Sequence, residues 1–310
     1  MSLPYSQFYL GLSNGIQLIN LTSSAQNPTR GIQCAGSTGS DSNVMDYITI
    51  ATTGNATDFG DRTISGSALA EGVNSDTRGV FGGGYPLSVN SNVIDYITIL
   101  SAGNATDFGD LVAATRAKCG MTNQTRGCFA GGVSGAITNV IEYITIATTG
   151  NTTDFGDMIV ATYAAKGANS DTRGIMGGIH TTGDDITYIT IATTGNATAF
   201  GELTVRTGPS GALNSDVRAV FAGGPTNGNL MDYITIATTG NATDFGDLTA
   251  GANDGLMSTS NLTRGCFGGG TRTSVSNIID YITIASTGNA TDFGDLTVAR
   301  AGGSCCQDGL

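Results

Sequence analysis

Few side chains in this sequence could carry catalysis. There is one histidine, His180, so imidazole acid–base chemistry would rest on a single residue and a multi-histidine metal centre is excluded. The six cysteines, Cys34, Cys119, Cys128, Cys266, Cys305 and Cys306, include no C-x-x-C pair. Cys128 and Cys266 occupy a recurring position otherwise filled by Val80, Ile175 and Val220, and Cys34 stands where Gly82 stands; these read as small, reduced, buried hydrophobes. The recurring string G-N-A-T-D-F-G-D is rich in oxygen ligands but lacks the D-x-D-x-D spacing of calcium loops. Its N-x-T sequons, at Asn55, Asn104, Asn151, Asn196, Asn241 and Asn289, read as turn chemistry rather than glycan acceptors. Six arginines share one repeat position: Arg30, Arg78, Arg126, Arg173, Arg218 and Arg264. They form a structural ring paired with carboxylates such as Asp58, Asp61, Asp107 and Asp110, in preference to a cationic site for an anion. No catalytic set can be assembled, and neither a metal nor a cofactor is expected.

The elements that must position these residues are set by repetition. Tyr-Ile-Thr-Ile begins at Tyr47, Tyr96, Tyr143, Tyr188, Tyr233 and Tyr281, with gaps of 49, 47, 45, 45 and 48 residues. Each copy contains four strand signals. Strand A is a small-residue segment such as Ala68-Leu69-Ala70 or Ala164-Ala165. Strand B is the R-G-V-F-G-G type, strand C is D-Y-I-T-I, and strand D is T-D-F-G-D. Six such units predict an all-β fold, a six-bladed β-propeller with four-stranded blades. The first unit enters at strand B and the last ends after strand D. The segment from Ala299 onward is therefore expected to supply strand A of the first blade, beside Gly31-Ile32-Gln33, and so close the ring. Residues 29–310 form the propeller. Residues 1–28 lie outside it, and with Phe8, Tyr9, Leu10, Ile16, Leu18 and Ile19 they are too apolar for a solvated tail; they read as a docking or blade-covering extension.

Alternating strand direction places the A–B and C–D turns on one face and the B–C and D–A segments on the other. The C–D turns are nearly identical, whereas the B–C and D–A segments differ from copy to copy, which marks the second face for binding. Candidate ligand-binding residues there are Tyr85, His180, Asn227 and Arg272. Composition bounds the partners. The chain has 13 basic and 25 acidic residues, a net charge of −12, and only two lysines, which argues against nucleic acid. No apolar run is long enough for a membrane span. The opening MSLPYSQFYLGL has no positive n-region, so a secretory signal is not expected.

The Gly-Gly-ended strand followed by two aromatic-bearing strands resembles the kelch-type blade over about residues 29–310, with Phe where that pattern usually has Trp. The wording D-Y-I-T-I-A-T-T-G-N-A-T-D-F-G-D-L-T with T-R-G-V-F-G-G-G resembles repeats of bacteriophage tail-fibre and virion proteins. That resemblance implies a non-enzymatic virion component made in the bacterial cytoplasm. It would be mounted on other virion proteins through residues 1–28, with the variable face toward a host surface glycan or protein. The alternatives are a structural virion assembly subunit and a bacterial kelch-like protein-interaction module.

Overall fold

Every strand C alternates its burial between two sheet faces: Tyr47 and Met45 point one way, while Asp46, Ile48 and Ile50 point the other. A sheet apolar on both faces must be covered on both, and here each sheet is covered by its two neighbours. A computed structural model describes residues 9–12, 15–18, 27–67, 71–178, 183–205, 208–225 and 228–309. Its six four-stranded antiparallel sheets form a six-bladed β-propeller. In the order A, B, C, D, blade 1 is Ser304–Gln307, Arg30–Ser37, Asp41–Thr49 and Thr57–Asp61. Blade 2 is Val73–Asn74, Arg78–Gly84, Ser91–Thr98 and Thr106–Asp110, and blade 3 is Cys119–Asn123, Arg126–Ala130, Val140–Thr145 and Thr153–Asp157. Blade 4 is Lys166–Asn169, Arg173–Gly177, Asp185–Thr190 and Thr198–Glu202, and blade 5 is Gly211–Asn214, Arg218–Ala222, Leu230–Thr235 and Thr243–Asp247. Blade 6 is Asp254–Ser260, Arg264–Thr271, Ile278–Thr283 and Thr291–Asp295. The ring closes as the repeat register requires: Cys305 pairs with Gln33, Cys306 with Ile32 and Gln307 with Gly31. Asp308 locks this closure by accepting the Thr29 and Arg30 N–H groups and the Thr29 hydroxyl at 2.6–2.8 Å. Outside the ring, Tyr9–Leu12 and Gly15–Leu18 pair as a hairpin.

The A strands pack against one another around a narrow central channel of about 40 Å³. They begin later than the alanine-rich segments suggested: strand A is Val73–Asn74 in blade 2 and Lys166–Asn169 in blade 4, and residues 68–70 lie outside the described set. Glycine explains the placement. A Cβ on Gly167 would lie 1.9 Å from the Gly120 carbonyl oxygen, so only a residue without a side chain lets neighbouring A strands meet at the axis. Glu71 fills the remaining space, accepting the N–H groups of Gly120 and Gly167 at 3.2 and 2.6 Å, with Lys166 3.8 Å away. Burial raises its carboxyl above the usual range, against the pull of Lys166 and the two N–H groups.

Six apolar clusters fill the six seams between blades, for example Val80, Phe108 and Leu111 of blade 2 with Phe129, Ile144 and Ile146 of blade 3. An identical outer joint covers each seam. The arginine opening strand B lies 4.3–4.5 Å over the tyrosine of strand C, which packs edge-on to the phenylalanine of strand D. Each guanidinium then donates across the seam to the carbonyl just after the next strand C. Arg30 reaches Ile99, Arg78 Ile146, Arg126 Ile191, Arg173 Ile236, Arg218 Ile284 and Arg264 Ile50, at 2.8–3.1 Å. The partner is a main-chain carbonyl, not the carboxylates expected from the sequence. Asp58 and Asp107 are exposed on the outer strand, while each guanidinium is held inward on its tyrosine. In return, the next blade's C–D turn caps the preceding strand D. Asn104 Oδ1 accepts the Asp61 N–H at 3.1 Å, and Asn151, Asn196, Asn241, Asn289 and Asn55 repeat this at the other five seams. The sequon asparagines are thus part of the seam itself.

Candidate functional site

A second contact crosses each seam, and it is not uniform. The residue before the strand C tyrosine points toward the preceding blade, where it meets the segment that follows strand D. At four seams a carboxylate accepts both groups, or the hydroxyl, of a threonine two residues past G-D or G-E. Asp95 takes the Thr63 N–H and hydroxyl, Asp232 those of Thr204, and Asp46 those of Thr297, while Asp280 takes the Thr249 hydroxyl. Three of these acids are also ion-paired: Asp95 with Arg62 (2.9 Å), Asp46 with Arg300 (2.6 Å) and Asp280 with Arg272 (2.9 Å). Burial raises the Asp232 carboxyl, partly offset by its bonds from Thr204. At the other two seams the threonine is replaced by an aliphatic residue. Val112 stands there in blade 2, and the longer Glu142 compensates by accepting the Val112 N–H and pairing with Lys118 (2.9 Å). Ile159 stands there in blade 3; its partner position is Thr187, whose buried hydroxyl has no hydrogen-bond partner.

Val112 and Ile159 do not replace the lost bond with packing. They point outward, 69% and 52% exposed. Leu87 (84% exposed) and Val89 of the blade 2 B–C loop, Ile137 of the blade 3 B–C loop, and Val160 are exposed on the same face. The two loops are tied together: Asn90 Nδ2 donates to the Val133 carbonyl, and Arg116 donates to Asn90 Oδ1, both at 2.9 Å. Leu87 is held in place at a cost. Its φ is +49° and that of Ser88 is +65°, a left-handed conformation that non-glycine residues adopt with strain of about 1–3 kcal/mol each. The Leu87 N–H is pinned by Asp41 of blade 1 at 2.7 Å. In blade 3, Val133–Ser134 and Ala136–Ile137 form a small ribbon that carries Ile137 outward.

Of the four loop residues singled out in the sequence, two, Arg272 and Tyr85, are among the described residues. Arg272 is buried, its guanidinium taken by Asp280 and by the Ala250 carbonyl at 2.7 Å, so it belongs to the sixth blade's interior rather than to an open loop. Tyr85 is half-buried, with one ring face covered by the Arg116 guanidinium at 4.1 Å. His180 and Asn227 lie outside the described residues. Val112 and Ile159 were not singled out from the sequence, although the signal was present: they interrupt the threonine that the other four copies keep two residues past G-D or G-E.

The cysteines are free, and burial pushes the thiols of Cys34, Cys128, Cys266 and Cys305 up to about 12, which makes them poor nucleophiles. Among the described residues no three His, Cys, Asp or Glu side chains converge to hold a metal, and no helix is long and apolar enough to cross a membrane. Taken together, the loop side of blades 2 and 3 exposes several aliphatic side chains, bordered by Arg116 and Asp41. No family model and no curated protein matches this chain.

Proposed function

We propose that this propeller is a non-enzymatic docking module that binds a protein through the loop face of blades 2 and 3. The observation that carries the reading is the exchange of two seam-latching threonine positions for exposed Val112 and Ile159, beside a strained and exposed Leu87. Exposed apolar side chains held at an energetic cost are what a protein partner buries, and they offer little to a polar glycan. The resemblance of the repeats to kelch-type blades and to phage tail-fibre and virion proteins suggests the setting: a particle component mounted through residues 1–28. A host glycan on the same face is the second reading, supported by the variety of the B–C loops.

The test is a binding screen of the full chain against bacterial surface glycans, envelope proteins and virion proteins, with Leu87→Asp/Ile159→Asp run alongside. The reading expects binding to a protein that the variant loses while its circular dichroism and unfolding midpoint are kept. Glycan binding that survives in the variant would overturn it in favour of the second reading.

A further inference from the structure

The reading of blades 2 and 3 as a docking face leaves open what docks there, and the chain itself contains a fitting partner. Among the described residues, the hairpin Tyr9–Leu12/Gly15–Leu18 pairs only within itself. A lone two-stranded hairpin is marginal in water and gains stability only when it is covered. Its sequence, Tyr-Leu-Gly-Leu and Gly-Ile-Gln-Leu, is apolar, and no charged side chain occurs before Arg30. Open strand edges without charges are what natural sheets avoid unless they are meant to associate.

The docking face matches it in character. The segments that carry its exposed aliphatics, residues 85–90, 111–115, 131–139 and 158–165, also contain no charged residue; Arg116, lying on Tyr85 and bonded to Asn90, borders them. In a chain of net charge −12, two copies repel over most of their surfaces. Neutral apolar regions are where they can meet.

The path from the hairpin to its own copy's face is long. The chain enters the propeller on the side of the A–B turns, where Asn27 Oδ1 accepts the Leu262 N–H of blade 6 at 2.9 Å. Leu87, Val112, Ile137 and Ile159 are on the opposite side. The eight residues 19–26 between hairpin and Asn27 reach about 30 Å at most. Passing outward to the rim takes about 10 Å and descending one outer strand about 17 Å, and the path must still turn inward and around to blades 2 and 3.

We infer that the N-terminal hairpin of one copy docks on the blade 2–3 loop face of a second copy, joining propellers head to tail. The contact is heterologous, so it propagates into a stack unless the rotation closes a ring. It rests on the docking reading above and names the partner.

Sedimentation velocity on the full chain, from micromolar to hundreds of micromolar, tests it with two variants. Leu10→Asp/Ile16→Asp alters the hairpin, and Leu87→Asp/Ile159→Asp alters the face; circular dichroism confirms that both fold. The wild type is expected to form concentration-dependent oligomers and each variant to stay monomeric alone. An equimolar mixture of the two variants is expected to give 1:1 dimers and nothing larger, because one intact hairpin and one intact face remain. A wild type that stays monomeric overturns the head-to-tail contact while leaving the docking face to its own binding screen. Oligomers that survive in either variant, or a mixture that stays monomeric, also overturn it.

Discussion

The outer joint and the inner latch cross the same six seams but have been treated differently. The outer joint repeats six times without exception: arginine on tyrosine, guanidinium to the next carbonyl, asparagine capping the neighbouring strand. The inner latch varies: four seams have threonine on a carboxylate, one has glutamate with lysine, and one has no carboxylate, with Thr187 in its place. Constancy therefore marks what every seam needs. The two departures, Val112 and Ile159, fall at consecutive seams, where an exposed aliphatic side chain stands in place of the exposed threonine.

The largest expected effect breaks a latch outright. Arg300→Met leaves Asp46 buried without its cation and is expected to cost about 3–5 kcal/mol in denaturant unfolding, whereas Arg300→Met/Asp46→Leu recovers much of that loss. The outer joint gives a smaller and uniform effect. Alanine at Arg78, Arg126 or Arg218 is expected to cost about 1–3 kcal/mol each, with near-equal values because the contacts are the same. Unequal costs would show that the sixfold joint is not the unit of stability.

The missing latch can be installed. Thr187→Asp alone buries a carboxylate without the hydroxyl or cation that the other seams supply and is expected to destabilise, and Ile159→Thr alone is expected to change little. Together they are expected to couple favourably by about 1–2 kcal/mol in a double-mutant cycle. The smallest effect lies at the channel mouth on the A–B side. Burial raises the carboxyls of Asp76 and Asp216, and neighbouring acids, Asp308 and Asp171 for Asp76 and Asp171 for Asp216, raise them further. A carboxyl whose pKa is raised on folding costs stability when ionised. That cost is complete above the folded pKa and disappears below the unfolded one. Asp76→Asn and Asp216→Asn are therefore expected to raise Tm slightly at neutral pH, with the gain shrinking as the pH falls through the carboxyl range.

Much of the fold was legible because repetition exposes register. The strand order, the count of blades and the closing pair Cys306–Ile32 all follow from where the copies begin and end. The A strands were misplaced because alanine content was read as the strand, whereas the axis selects glycine, as at Gly167. The arginine partners were misread because a carboxylate near in sequence is not the group across a seam, and the carbonyl of Ile146 has no sequence signature. Site reasoning favoured loop residues with versatile side chains. It could not see that Arg272 turns inward to Asp280 or that Arg116 covers Tyr85, since both depend on how loops fold back.

The most direct test replaces Val112 and Ile159 together with the threonine found at the other seams, and measures unfolding and sedimentation on the same preparation. The account expects Val112→Thr/Ile159→Thr to keep or raise the unfolding midpoint while self-association is lost. Association that persists, or a midpoint that falls, would contradict the claim that these two positions serve contact rather than the fold.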